Sequence, residues 1–96
     1  MELHIFGRFH VHIGKEAAFQ DLLTAVVTAS SQESGCLEIH GYRSTREARL
    51  FYLHSHWTNE SAFDEHARMP HTVRFIEGAQ ALIDHDFGVT RAERIA

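Results

Sequence analysis

The sequence predicts an α+β domain whose elements follow the order βαββαβ, and three observations carry that prediction. Residues 3 to 13 alternate apolar and polar, the period-two mark of a half-buried strand. Apolar residues between Phe19 and Ser30 then recur at helical spacing. A further strand pattern closing on Trp57 leads into a helical segment that carries His66 and is interrupted at Pro70-His71.

In the first strand Leu3, Ile5, Gly7, Phe9, Val11 and Ile13 fall on one face, with His4, Phe6, Arg8, His10 and His12 on the other. Gly14 closes it. The helix that follows is lined by Phe19, Leu22, Leu23, Val26, Val27 and Ser30 and runs through Glu33, with Gly35 placed where a helix end favours a left-handed residue. Residues 36 to 43 form the second strand. The polar cluster Ser44 to Glu47 turns the chain into a third strand from Arg49 to Trp57, and Asn59 offers its side chain as an N-cap. Pro70 cannot continue that helix undisturbed. A second helical segment presents Thr72, Ile76, Ala79 and Leu82 or Ile83 along one side, and a last strand lies near 84 to 93.

This order is the split βαβ, or ferredoxin-like, arrangement, in which one antiparallel sheet is covered by helices on a single face. Phe6, Leu50 and Tyr52 lie on the other face, and a chain of 96 residues has no remaining element to cover them. Uncovered apolar patches mark interfaces, so two copies are expected to pack sheet to sheet as a homodimer. With 44% hydrophobic content and one proline, residues 1–96 read as one compact domain.

Charge and cysteine content remove several classes of function. A formal charge of -4, with both signs interspersed, leaves no basic stripe for a phosphate backbone, so nucleic acid is not an expected partner. The single cysteine forbids an internal disulfide, and no charged-then-apolar leader is seen, so the reducing cytoplasm is the default. No apolar run approaches the roughly 20 residues that span a bilayer, so no membrane is expected as a partner. Phosphate loops, nucleophile elbows and dinucleotide fingerprints are missing as well.

Candidate chemistry gathers around the helix break. On the face under the helices, Ile5, Phe9, Phe51, Leu53 and Trp57 are large while Gly7 and Ser55 are small. Antiparallel pairing of the first and third strands would bring Gly7 and Ser55 close, roofed by Phe63, His66 and Ala67 as an apolar pocket. The alternative is a filled core in which the glycine marks a bulge or a close approach. His66 lies on the apolar side of its helix, where a neutral imidazole can exchange a proton near pH 7; His71 either points inward or caps the next segment. Each is equally read as a hydrogen-bonded core residue.

The nine histidines include the pairs His10/His12 and His54/His56. Two imidazoles on one strand face make half of a metal site, but antiparallel topology separates the pairs and sets His4 beside His56. No metal is therefore expected, and these side chains read as interface residues that would make association sensitive to acid. Cys36 has no evident activating partner and reads as a small buried residue.

The segment Ser55 to Ile76 and the Ser34-Gly35-Cys36 junction together resemble the antibiotic biosynthesis monooxygenase family of dimeric α/β barrels. The resemblance rests on Gly35-Cys36, on Phe51-x-Leu53-x-Ser55-x-Trp57, on Ala62-x-x-x-His66 and on Pro70-His71. It implies two ferredoxin-like subunits closing into a barrel. It also implies a monooxygenase that needs neither metal nor flavin and oxidises a small electron-rich aromatic, a quinol or polyketide-like phenol, with O2. His66 and His71 would then be the catalytic residues. Gly7, Phe9, Phe51, Leu53, Ser55, Trp57 and Phe63 would bind substrate, with Trp57 and Phe63 on its plane and Ser55 on a carbonyl. Many relatives carry a glutamate where this chain has Ser55. The haem-degrading branch needs an asparagine, a tryptophan and a histidine where this chain has Gly7, His66 and, near the third position, Ile76. A branch similar to enzymes of furanone-type signal molecules shares the His and Pro-His features, which keeps a proton-transfer isomerase open. A non-catalytic ligand-binding dimer and a purely structural dimer are the remaining alternatives.

Overall fold

Seven elements follow one another along the computed structural model, which describes residues 1–96: β1 (Leu3–His10), α1 (Glu16–Ser30), β2 (Cys36–Arg43), β3 (Leu50–Trp57), α2 (Glu60–Ala67), α3 (Pro70–Leu82) and β4 (Gly88–Ala92). The strands form one antiparallel sheet in the order β2-β3-β1-β4. This is the ferredoxin-like α+β architecture, with the second helical region divided into α2 and α3. No helix is long and apolar enough to cross a membrane.

Register follows the alternation of β1. Leu3 pairs with Trp57, Ile5 with Ser55, Gly7 with Leu53 and Phe9 with Phe51, all on the helix-covered face. Beneath α1 and α3 the rings of Phe9, Phe19, Phe51 and Phe75 fill the larger core, with Phe19 and Phe51 centroids 4.8 Å apart. A smaller cluster of Leu3, Ile5 and Trp57 packs against Cys36, Ala62 and Phe63. The opposite face carries Phe6, Tyr42 and Tyr52 exposed, and Phe6 keeps 51% of its surface open. Its register also sets His4 against His56, as the topology predicts.

Three boundaries differ from the sequence reading. β1 stops at His10, where Val11 bridges Ile83 while its N–H donates to the Arg49 carbonyl, the His12 N–H donates to the Leu82 carbonyl, and Ile13 is exposed. β4 is correspondingly shorter than 84–93. α1 ends at Ser30, and tighter i→i+3 bonds carry the chain on: Gln32 N–H to the Ala29 carbonyl, Glu33 N–H to Ser30 and Cys36 N–H to Glu33.

Gly35 is not a left-handed cap; the one glycine with positive φ is Gly14, at 85°. A Cβ built on Gly35 would lie 2.4 Å from the Ala62 Cβ, so the glycine is needed for close approach of α2 to the start of β2. Replacing Gly35 by Ala is expected to lower unfolding free energy by about 1–3 kcal/mol, the usual cost of overpacking. Urea denaturation would check this, and an unchanged midpoint would mean that α2 shifts freely.

Candidate functional site

The end of β3 supplies the floor of the site. Ser55 and Trp57 both point to the helix side and are buried, and the Trp57 Nε1–H donates to the Ser55 Oγ at 2.8 Å. Asn59 then caps α2, its side-chain oxygen accepting from the Ala62 N–H at 2.8 Å, which fixes where the helix begins and which face it turns to the sheet. On that face Phe63 meets Trp57 edge-on at 5.9 Å, and the His66 ring lies 4.5 Å from Trp57 and 5.6 Å from Phe63. Arg91 of β4 sits 5.0 Å over the Phe63 ring and bonds Asp64, holding that wall in place.

Pro70 places His71 beside His66. Five residues along an uninterrupted helix would set two side chains about 140° apart. Instead α2 ends at Ala67 and α3 starts at Pro70 in the N1 position, where the missing N–H costs nothing. The two rings come within 6.0 Å, and both reach one carboxylate oxygen: Glu33 Oε2 lies 2.7 Å from His66 Nδ1 and 2.8 Å from His71 Nε2. Side-chain exposures of 8% for His66, 10% for Glu33 and 17% for His71 leave the group largely dry.

An ionised carboxylate only accepts, so the N–H groups sit on His66 Nδ1 and His71 Nε2. That assignment leaves the lone pair of His66 on Nε2. Burial pushes the His66 pKa down, and the hydrogen bond to Glu33 opposes this only in part, so the neutral ring is favoured. The Thr72 hydroxyl, 3.3 Å from His66 Nδ1, completes the surroundings of that nitrogen. A neutral histidine oriented by a partly buried glutamate is the arrangement of a general base.

The residues expected to form one site divide between two clusters. Ser55, Trp57, Phe63, His66 and His71 gather around Glu33 and the smaller cluster, whereas Phe9, Phe51 and Leu53 belong to the larger core. Gly7 lies opposite Leu53, one step from the Ile5–Ser55 pair, and a Cβ there would meet the Phe9 ring at 3.0 Å, so that ring occupies the space above it. Glu33 is the residue that sequence reading missed. Its signal was the continuation of the buried stripe Val26, Ser30, Glu33 at spacings of four and three.

Outside this site the histidines find local partners. On the open face His4 stacks on His56 at 4.1 Å and its Nδ1 lies 3.0 Å from His54 Nε2. His10 bonds Asp84, which also accepts from His85 and lies 3.4 Å from an Arg49 nitrogen. The His10 and His85 contacts hold the Asp84 carboxyl well below the usual carboxylate range. Cys36 is half-buried, and burial followed by the nearby Glu33 charge pushes its thiol up, which disfavours a nucleophilic thiolate.

A family model described as antibiotic biosynthesis monooxygenase matches residues 3–78. Among solved structures, Rv0793 of Mycobacterium tuberculosis is 23% identical with a TM-score of 0.94, covering 100% of this chain and 97% of that one. PA3566 of Pseudomonas aeruginosa is 26% identical with a TM-score of 0.91, at 99% and 95% coverage. A protein described as antibiotic biosynthesis monooxygenase is 18% identical with a TM-score of 0.92, at 98% and 99% coverage. No curated protein matches by sequence.

Proposed function

Because the chain belongs to the antibiotic biosynthesis monooxygenase family, we propose that it is a monooxygenase that oxidises a small electron-rich aromatic, a quinol or polyketide-like phenol, with O2 and without a resident cofactor. The observation that carries this reading is the Glu33 carboxylate bonded to both His66 and His71 against the Trp57 and Phe63 rings. In this reading Trp57 and Phe63 orient the aromatic plane, and Ser55, already accepting from Trp57, offers its hydroxyl hydrogen to a substrate oxygen. Phe9, Phe51 and Leu53, with the Phe9 ring over Gly7, belong to the larger core and back this wall without lining it.

The substrate hydroxyl gives its proton to His66 Nε2, and Glu33 stabilises the imidazolium that results. The anion then passes one electron to O2, and the radical pair combines into a carbon-bound peroxide. The imidazolium returns its proton to the distal peroxide oxygen; neutral His66 then takes the C–H proton as the O–O bond cleaves to leave a ring carbonyl and hydroxide, and that proton converts the hydroxide to water. All electrons come from the substrate, so atoms and charge balance without an external reductant. The protein contributes a base, orientation and a dry site.

Oxygen consumption by metal-stripped protein over a panel of hydroquinones and hydroxynaphthalenes tests the reading. Uptake that persists in chelator and yields a quinone carrying one oxygen atom from O2, with water and not hydrogen peroxide as the other product, supports it. Saturable binding without uptake across the panel would overturn it.

The same reading places the chain in the cytoplasm as a homodimer built on the face that exposes Phe6, Tyr42 and Tyr52. Sedimentation equilibrium is expected to give twice the 11.0 kDa chain mass, and Phe6→Arg to return it to one chain. A monomeric wild type would remove the dimer.

A further inference from the structure

We infer that Glu33, His66 and His71 form a binding site for a divalent transition-metal ion of the zinc class. The three ligand atoms, Glu33 Oε2, His66 Nδ1 and His71 Nε2, all lie within 4.8 Å of one another and come from three separate segments. Two imidazole nitrogens and one carboxylate oxygen are the donor set that zinc takes when a fourth position stays open. Zinc bonds of about 2.0–2.2 Å in tetrahedral geometry set ligand atoms about 3.3–3.5 Å apart. The present 2.7 and 2.8 Å contacts therefore need to open by about 0.5–0.8 Å, within reach of side-chain rotation.

Binding requires lone pairs on the two nitrogens that now donate to Glu33. Each neutral ring supplies one by moving its proton to its other nitrogen, Nε2 in His66 and Nδ1 in His71, with no change of net charge. A hollow of about 370 Å³ between the turn after α1 and the start of α2 has Glu33 in its lining together with Gly35, Asn59, Glu65 and Met69, so one of the three ligand residues borders open space. The other histidine–carboxylate group, His10, Asp84 and His85, is a poorer candidate because the Arg49 guanidinium already lies 3.4 Å from Asp84 Oδ2 and repels a second cation.

Occupancy has a chemical consequence. The tautomer that binds metal carries its proton on His66 Nε2, the atom that accepts the substrate proton in the function proposed above, so bound zinc and the base exclude each other. Only this link to inhibition rests on that proposal; the metal site does not. Its test therefore uses no substrate.

Metal-stripped protein is titrated with Zn2+ against a chromophoric chelator, and its thermal midpoint is followed in parallel. One ion per chain is expected, with a raised midpoint, and Glu33→Gln and His71→Gln are each expected to weaken binding at least 100-fold. The His4→Gln/His54→Gln double variant is expected to bind as the wild type does. Near-UV circular dichroism identifies any variant that has lost its fold, and either ligand variant alone suffices to decide. The site is overturned by wild-type protein that binds no zinc. Binding that survives both ligand changes, or disappears with His4 and His54, would likewise overturn it by placing the ion on surface histidines.

Discussion

Replacing His66 by Ala is expected to lower the maximal rate of oxygen uptake by about 10²–10⁴-fold, the usual contribution of a positioned general base. His66 is the member of the pair whose ring faces the aromatic wall, 4.5 Å from Trp57, while its Nδ1 is anchored on Glu33. Its loss removes the proton acceptor but leaves Trp57 and Phe63 in place, so binding of the aromatic should change far less than turnover. Glu33 would also lose one of its two partners, at a cost of about 1–3 kcal/mol in stability, so the comparison belongs at a temperature where the variant is folded. His71→Ala is expected to have a smaller effect, because His71 reaches the reaction through Glu33 and serves as a positioning residue. Unchanged uptake in folded His66→Ala would remove His66 as the base.

Trp57→Ala is expected to produce the largest loss of stability of any single change considered, about 3–5 kcal/mol. Trp57 is fully buried and is the centre on which Leu3, Ile5, Phe63 and His66 pack. Truncation opens a cavity beneath α2 and deprives the Ser55 hydroxyl of its indole donor. Denaturant unfolding at fixed protein concentration would show this as a lower midpoint with the slope unchanged. A loss under about 1 kcal/mol would mean that α2 collapses onto β3 and refills the space.

Much of the fold was legible because its signals are local. Alternation from Leu3 to His10 set both the strand and its face, and antiparallel pairing then placed His4 beside His56. Asn59 capped α2 as its side chain requires, and Pro70 marked the break between α2 and α3. Where the reading slipped, a tertiary contact had overridden a local rule. Gly35 has the composition of a left-handed cap but exists to admit Ala62, and Val11 continues the alternation yet pairs with Ile83 rather than with a strand. Space inferred above Gly7 is taken by Phe9, because a ring two positions along the same strand leans back over the glycine.

The candidate site was legible as a set of residue types and not as an arrangement. Phe63 and His66 stood out because they sit on one helix face, His71 because it follows the proline, and Trp57 because it ends a strand pattern. Glu33 did not, since a glutamate at the end of an amphipathic helix reads as a solvated terminus. Its carboxylate meets His66 across 33 residues and His71 across 38.

By itself, then, the sequence determined the α+β class, the order of its elements, their buried faces and the break that separates α2 from α3. These follow from spacings of two to four residues, over which side-chain direction is set by backbone geometry. Only the tertiary structure decided that one partly buried carboxylate would bind both histidines and thereby assign their protons. That outcome depends on how far α1 unwinds after Ser30 and on how closely α2 approaches β2 at Gly35. Both are set by packing between distant segments, for which no spacing along the chain is a substitute.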